Sequence, residues 1–519
     1  MPAVTVILLL ATLYGNSLWQ LLQQQALDSY WDIVTDSYVL RVVQFSLWQA
    51  FLSASLSVIF GLAVAHALFY QDFIGKRWLL KIFSLSMVLP VLVAIFGILG
   101  AYGKVGWLAQ WLSALGMEKS LNIYGLSGIL LAHTFFNIPL AANIFLNALH
   151  AIPNQQRRLA AQLGVVNWPF VRLVEWPYLR TCLPSVFALI FMLCFTSFAI
   201  VLTMGGGPKY TTLEVAIYQA LTFDFELQRA AVFALMQCVF CLALFALSSR
   251  LSKAVPTTAN VGSTYVVALP TAVRVLHGAI IVAVVGFIGL PLLNIVVSAF
   301  DLSAWQSSLS NPTLYKALAF SLTIALCAGS LSVLMSVALL LGAREFHFAK
   351  RFSMAANIVN AGMVILAVPT LVLAVGLFLL LRQLTITTPM LFAVVVLCNA
   401  LMSMPFVLRI LSQPLYDNMS YYERLCQSLG VRGWARFRHI EWHSIQRPLQ
   451  NAFALATAFS LGDFTAIALF GNNDFTSLPR LLYQQLGNYR GSEASVSAFI
   501  LLALCTMIFI FSERSHDST

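Results

Sequence analysis

Twelve separate runs of mostly apolar residues, each long enough to cross a bilayer, decide what this chain of 519 residues can fold into. They occupy the first 22 residues and then 43–69, 80–102, 124–149, 183–204, 229–249, 275–299, 317–343, 356–381, 389–411, 449–470 and 494–512. Only 9% of the residues are charged, against about 25% in ordinary soluble domains, too few to cover several water-exposed surfaces. The fold class is therefore an all-α polytopic membrane protein set in a lipid bilayer. The opening run has no positive n-region and no small-residue cleavage site, so it reads as a retained first span.

Lysine and arginine collect in alternate loops, which sets the orientation. Lys76, Arg77 and Lys81 follow the second run, Arg157, Arg158, Arg172 and Arg180 the fourth, Arg250 and Lys253 the sixth, Arg344, Lys350 and Arg351 the eighth. The opposite loops carry Asp28, Asp32 and Asp36, or Glu214, Asp224 and Glu226. Both termini are expected on the cytoplasmic side of the membrane, and loop 206–228, with Thr211, Thr212 and Glu214, is expected outside and accessible. The net charge of +10 is accounted for by these loops without a nucleic-acid partner.

The chain repeats itself once. FSLWQAFLSASLSV at 45–58 returns as FSLTIALCAGSLSV at 320–333, and LEVAIYQAL at 213–221 echoes LPRLLYQQL at 478–486. Most tellingly, Arg158, Gly164, Trp168, Arg172, Glu175 and Trp176 return 266 positions later as Arg424, Gly430, Trp434, Arg438, Glu441 and Trp442. Each copy holds six runs, an even number, so the two repeats, 1–255 and 256–519, are parallel and related by an axis along the membrane normal.

The repeated cytoplasmic loops, 151–182 and 414–448, each join a helix-favouring run to a glycine and a second amphipathic stretch rich in Trp and Arg. A single such loop reads equally as an interfacial anchor. Two near-copies at equivalent points suggest a repeated partner contact, with Arg432, Arg436 and Arg438 making the second more salt-sensitive than the first, which has Val166, Phe170 and Arg172 there.

These loops resemble the EAA loop of binding-protein-dependent ABC importers, in which E-A-A, three residues and G are followed nine residues on by I-x-L-P. Counted from Gly164 the closing residues are Val174, Trp176 and Pro177; from Gly430 they are Ile440, Trp442 and His443. The family glutamate is replaced by Arg158 and Arg424, and the second alanine survives only as Ala160. VLPVLVAIFGILGAYGKVGWLAQ, GILLAHTFFNIPLAANIFLNAL, ALIFMLCFTSFAIVLTMGGGP and SLGDFTAIALFGNNDF extend the likeness over nearly the whole chain, to the fused two-copy permeases of bacterial thiamine and thiamine-diphosphate importers. That resemblance implies a type I importer permease fold in a bacterial inner membrane, thiamine as substrate with ferric iron or another small nutrient as the alternative, a periplasmic binding protein, and two copies of a separate ATPase that binds the ATP and magnesium.

The absences agree. No G-x-x-x-x-G-K-[ST] phosphate loop, H-E-x-x-H or G-x-S-x-G occurs, so no catalytic residue, cofactor or metal is expected in this chain. Cys238 and Cys241 form a C-x-x-C within an apolar run and read as packing residues. A secondary transporter would share the twelve-span architecture but want intramembrane ionisable groups, which are scarce, and a membrane enzyme would want clustered carboxylates or metal ligands.

A few intramembrane residues are candidates for the pathway. Pro90 and Pro369, and Pro139 and Pro405, sit in matched settings and are candidate hinges, with ordinary tolerated kinks as the plainer reading. His133 and its counterpart Asn399 are candidate pathway groups or helix-to-helix hydrogen-bonding residues. Asp463, matched by Ser197, either faces the pathway or caps a half-helix beginning at a break in its span.

Overall fold

The computed structural model describes residues 2–23, 27–86, 88–117, 122–251, 265, 269–382, 387–431, 433–471 and 475–517. Among these the regular structure is helical. The boundary expected between the repeats, at 255/256, lies outside the described residues, as do Lys253 and Arg432.

The first half contains α1 (Pro2–Gln23), α2 (Leu27–Val34), α3 (Ser37–Tyr70), α4 (Lys76–Ser86), α5 (Val91–Tyr102), α6 (Trp107–Ala114), α7 (Leu126–His150), α8 (Asn154–Gln162), α9 (Asn167–Phe170), α10 (Trp176–Phe195), α11 (Phe198–Met204), α12 (Leu213–Thr222) and α13 (Leu227–Leu251). The second contains α14 (Thr271–Ser298), α15 (Leu302–Leu309), α16 (Pro312–Phe348), α17 (Phe352–Ala361), α18 (Thr370–Leu381), α19 (Thr388–Ser428), α20 (Gly433–Arg436), α21 (Trp442–Gly462), α22 (Thr465–Phe470), α23 (Leu478–Gly487) and α24 (Gly491–Asp517).

Eleven helical segments among the described residues are long and apolar enough to span a membrane, and α18, at 12 residues, is a shorter apolar one. The expected third and ninth spans are each interrupted. Run 80–102 divides into α4 and α5 around Pro90, and run 356–381 into α17, a 3-10 turn at Val364–Leu366 and α18, which begins after Pro369. A proline lacks the amide proton and disfavours helical backbone in the residue before it, so both helices restart with the proline as N-cap. Pro139 and Pro405 instead lie inside continuous helices, α7 and α19.

The fifth and eleventh runs also break, at Thr196–Ser197 and at Asp463–Phe464. Loop 206–228 departs further from expectation. Leu213–Thr222 is a helix tucked into the bundle, and Thr211, Thr212 and Glu214 are buried. Its position is fixed by a hydrogen bond from Leu213 N to Ser46 Oγ of α3, 3.0 Å; in the second half Leu478 N donates to Ser321 Oγ of α16 at 2.8 Å. The echo of LEVAIYQAL in LPRLLYQQL thus marks a pair of short helices pinned by matched serines.

The two halves trade their first helices. α1 packs on α16 and α18 of the second half, while α14 packs on α3 and α5 of the first. Small residues permit the approach, as is usual where helices meet in lipid. A Cβ added at Gly376 would come 2.5 Å from Ser17 Cβ, and one at Gly97 would come 2.5 Å from Pro291 O.

Candidate functional site: two matched loops and a central helix break

The first repeated loop begins where α7 stops. Ala151–Pro153 breaks the chain before α8, because Pro153 disfavours helix in the residue ahead of it. The second copy has Met419 in that place, and α19 runs through as one helix of 41 residues. Both then close on the same device. Gly164 and Gly430 adopt φ of +70° and +64°, and the next amide donates back, Val165 N to Ala160 O at 2.9 Å and Val431 N to Cys426 O at 3.0 Å. This is a Schellman-type ending, which wants glycine at the left-handed position. Three residues on, Asn167 (φ 59°) and Gly433 (φ 58°) make a second left-handed turn, at equivalent positions.

Each loop then passes through a single π-helical turn, Val171–Glu175 or Phe437–Glu441, ending on the shared glutamate. Extra turns of this kind recur at functional sites because they displace a side chain from the regular helical register. Here they put Glu175 and Glu441 wholly inside the protein. Glu175 accepts from Tyr70 Oη, lies 3.2 Å from His66 Nε2 and pairs with Arg157 Nη1 at 3.5 Å. His66 in turn contacts His277 of α14 at 3.1 Å. Glu441 accepts from Arg344 Nη1 and from Arg436 Nε at 3.0 Å, and Arg436 reaches on to Glu423 at 2.8 Å.

The predicted loop residues therefore fall into two groups. Glu175, Glu441, Arg436 and Ala160 are buried, and Pro177 is half-buried at the start of α10. Arg436 was expected at a salt-sensitive surface; its guanidinium is instead turned inward by two carboxylates. Arg158, Gly164, Trp168, Arg172, Arg424, Gly430, Trp434 and Arg438 are exposed. With Trp168 (72% exposed) and Trp434 (70%) stand three further matched pairs of exposed apolar residues, Leu159 and Leu425, Leu163 and Leu429, and Trp176 and Trp442. The two loops consequently present the same apolar pattern to their surroundings. Sequence reasoning missed Arg157, His66, Tyr70, His277, Arg344 and Glu423. The signal lay in the mismatched columns of the repeat, where Arg157 and Phe170 face Glu423 and Arg436.

Inside the bundle, Asp463 closes α21 and accepts from Thr465 N (3.3 Å) and Ala466 N (3.4 Å) at the start of α22. It is a cap at a helix break. Asn399, with its amide turned to satisfy its neighbours, donates to Asp463 Oδ2 at 3.0 Å and to Val395 O at 3.2 Å, and accepts from Ser460 Oγ at 2.9 Å. The structure so brings Asn399 and Asp463 together. His133 is buried against Ser53 Oγ, 2.8 Å from Nδ1, in the other half. No group of three or more potential metal ligands occurs among the described residues.

The family described as binding-protein-dependent transport system inner membrane component matches residues 57–255 and 336–516. The chain belongs to that family. It is 54% identical to the thiamine transport system permease protein ThiP of Haemophilus influenzae, over 93% of this chain and 90% of that one. It is 45% identical to the ThiP protein of Escherichia coli over 99% of this chain and 95% of that one. A putative ferric transport system permease of Haemophilus influenzae is 27% identical over 41% of this chain and 34% of its own length. The family match falls in two copies, one in each half, and each copy contains one of the two matched loops.

Proposed function

We propose that this chain supplies both membrane-spanning halves of an ATP-driven importer and forms the path by which thiamine, and its phosphates, enter the cell. The carrying observation is the similarity, at 40–54% identity over at least nine-tenths of this chain, to permeases named for thiamine transport. The ferric permease matches less than half of the chain, at 27% identity.

The division of labour follows from what the loops offer. Two like apolar surfaces on one chain suit two copies of one soluble ATPase, each holding its own ATP and magnesium. Bulky apolar side chains held on a rigid turn supply anchors for such a contact. Substrate arrives from a periplasmic binding protein, and both termini lie in the cytoplasm. The buried Glu175 and Glu441 act within the permease: they tie each loop to its own half, so that movement imposed on the loop reaches α3 or α16.

Uptake of radiolabelled thiamine by cells lacking their own thiamine importer, complemented with this chain together with its ATPase and binding protein, tests the reading. Uptake that stops on ATP depletion with the ion gradient held supports it. Uptake of ferric iron and not thiamine would replace the substrate, and uptake abolished by an uncoupler with ATP held constant would replace the class.

A further inference from the structure

Phe198 and Phe464 are repeat counterparts, 266 positions apart, and their rings stack on each other with centroids 5.8 Å apart and planes within 13°. Residues related by a two-fold rotation are separated by twice their distance from the axis, so the pseudo-axis between the halves passes between these two rings. In parallel repeats that axis runs along the membrane normal. A path shared equally by both halves runs along it, and here both rings are buried and fill it.

The surroundings are symmetric too. Tyr218 of α12 meets Phe198 edge-on at 5.2 Å, and Tyr483 of α23 meets Phe464 at 5.0 Å, so four rings form a row across the axis. Each phenylalanine stands at a helix break, Phe198 just after Thr196–Ser197 and Phe464 within the break that follows α21. A ring at a break can swing aside without unwinding a helical turn. The second break also rests on the first half: a Cβ placed on Gly462 would lie 3.1 Å from Pro90 Cα, at the head of α5.

Resting on the thiamine reading above, we infer that the Phe198–Phe464 stack is the closed gate of the path, and that the row of rings selects flat aromatic solutes. Parting the two rings forfeits their mutual stacking. A flat aromatic ring slipped between them restores a stacking face to each, whereas an aliphatic solute restores neither. If the solute is also cationic, the aromatic faces attract it further. The gate opens most readily around the ring system it is to pass.

The test uses proteoliposomes containing the full importer with its ATPase and binding protein, and compares wild type with Phe198→Ala/Phe464→Ala, Phe198→Leu/Phe464→Leu and Phe198→Tyr/Phe464→Tyr. Retained ATPase in each purified complex checks assembly. Passive efflux of radiolabelled choline, a small aliphatic cation, reads the gate whatever the true substrate. The alanine pair should raise it at least tenfold. The leucine pair should lower ATP-driven thiamine uptake at least tenfold, and the tyrosine pair should restore uptake to within threefold of wild type. Unchanged choline efflux in the alanine pair overturns the gate. Wild-type thiamine uptake by the leucine pair overturns the selection. A wild-type complex that imports another nutrient and no thiamine overturns the function reading alone, with the choline efflux still deciding the gate.

Discussion

Arg157 and Arg436 serve equivalent buried glutamates from opposite sides of the same turn. Arg157 reaches Glu175 from the helix before the glycine, and Arg436 reaches Glu441 from the stretch after it. Each guanidinium also covers a phenylalanine ring, Phe69 at 4.4 Å or Phe348 at 4.3 Å. The site vacated by one arginine holds a residue that suits the other arrangement. Phe170 stands where Arg436 does, and Glu423, paired to Arg436, stands where Arg157 does.

This exchange predicts a rescue. Arg157→Met leaves Glu175 buried without its guanidinium, a loss of about 3–5 kcal/mol when one partner of a buried pair is removed. Arg157→Met combined with Phe170→Arg, which returns a guanidinium from the position Arg436 holds in the second half, should recover a large part of it. Thermal denaturation of the detergent-solubilised permease measures both; a double variant no more stable than the single one would refute the equivalence.

The left-handed turns make a graded prediction. Gly164→Val and Gly430→Val place a β-branched residue at positive φ, at about 1–2 kcal/mol for each site, and should weaken ATPase retention on co-purification while the permease stays in the membrane. Gly433→Asn should be tolerated, because the counterpart Asn167 already holds φ 59°; Gly433→Val should not.

Asp463 gives two variants with opposite outcomes. Asn keeps one of the two side-chain oxygens that accept from Thr465 N and Ala466 N, so Asp463→Asn should retain thiamine uptake within about threefold. Asp463→Leu removes a cap worth about 0.5–2 kcal/mol and strands the Asn399 amide, and should reduce the assembled complex on size-exclusion chromatography. A large loss of uptake in a fully assembled Asn variant would show that the charge itself is used.

Labelling distinguishes the buried helix from an open loop. Cysteine at Thr212 should resist a membrane-impermeant maleimide added to spheroplasts, whereas cysteine at Phe223 or Phe225, both exposed, should react. A cytoplasmic reporter fused after Thr519 should be active, and an active exported reporter there would reverse the orientation.

The apolar runs and the internal repeat were legible in the sequence because lipid leaves the backbone few alternatives and because a duplication preserves spacing. Glycines 164 and 430 were legible for the same reason. The break at Thr196–Ser197 was not, since no proline or glycine marks it, and neither was the burial of Thr211, Thr212 and Glu214, which polar character argues against. Arg436 was placed outside because charge in a loop ordinarily means solvent. Only the third dimension shows that the buried Glu441 draws it inside.

The traded first helices bear on how such a chain is made. Because α1 clasps α16 and α18 while α14 clasps α3 and α5, each half lacks, on its own, the helix that covers its flank, and offers a bare helix to whatever lies nearby. Neither half is an independent folding unit. Covalent continuity then matters chiefly as a way to keep two mutually dependent partners in equal number. Two polypeptides cut between the halves and synthesised together should assemble as one importer, and either synthesised alone should be degraded.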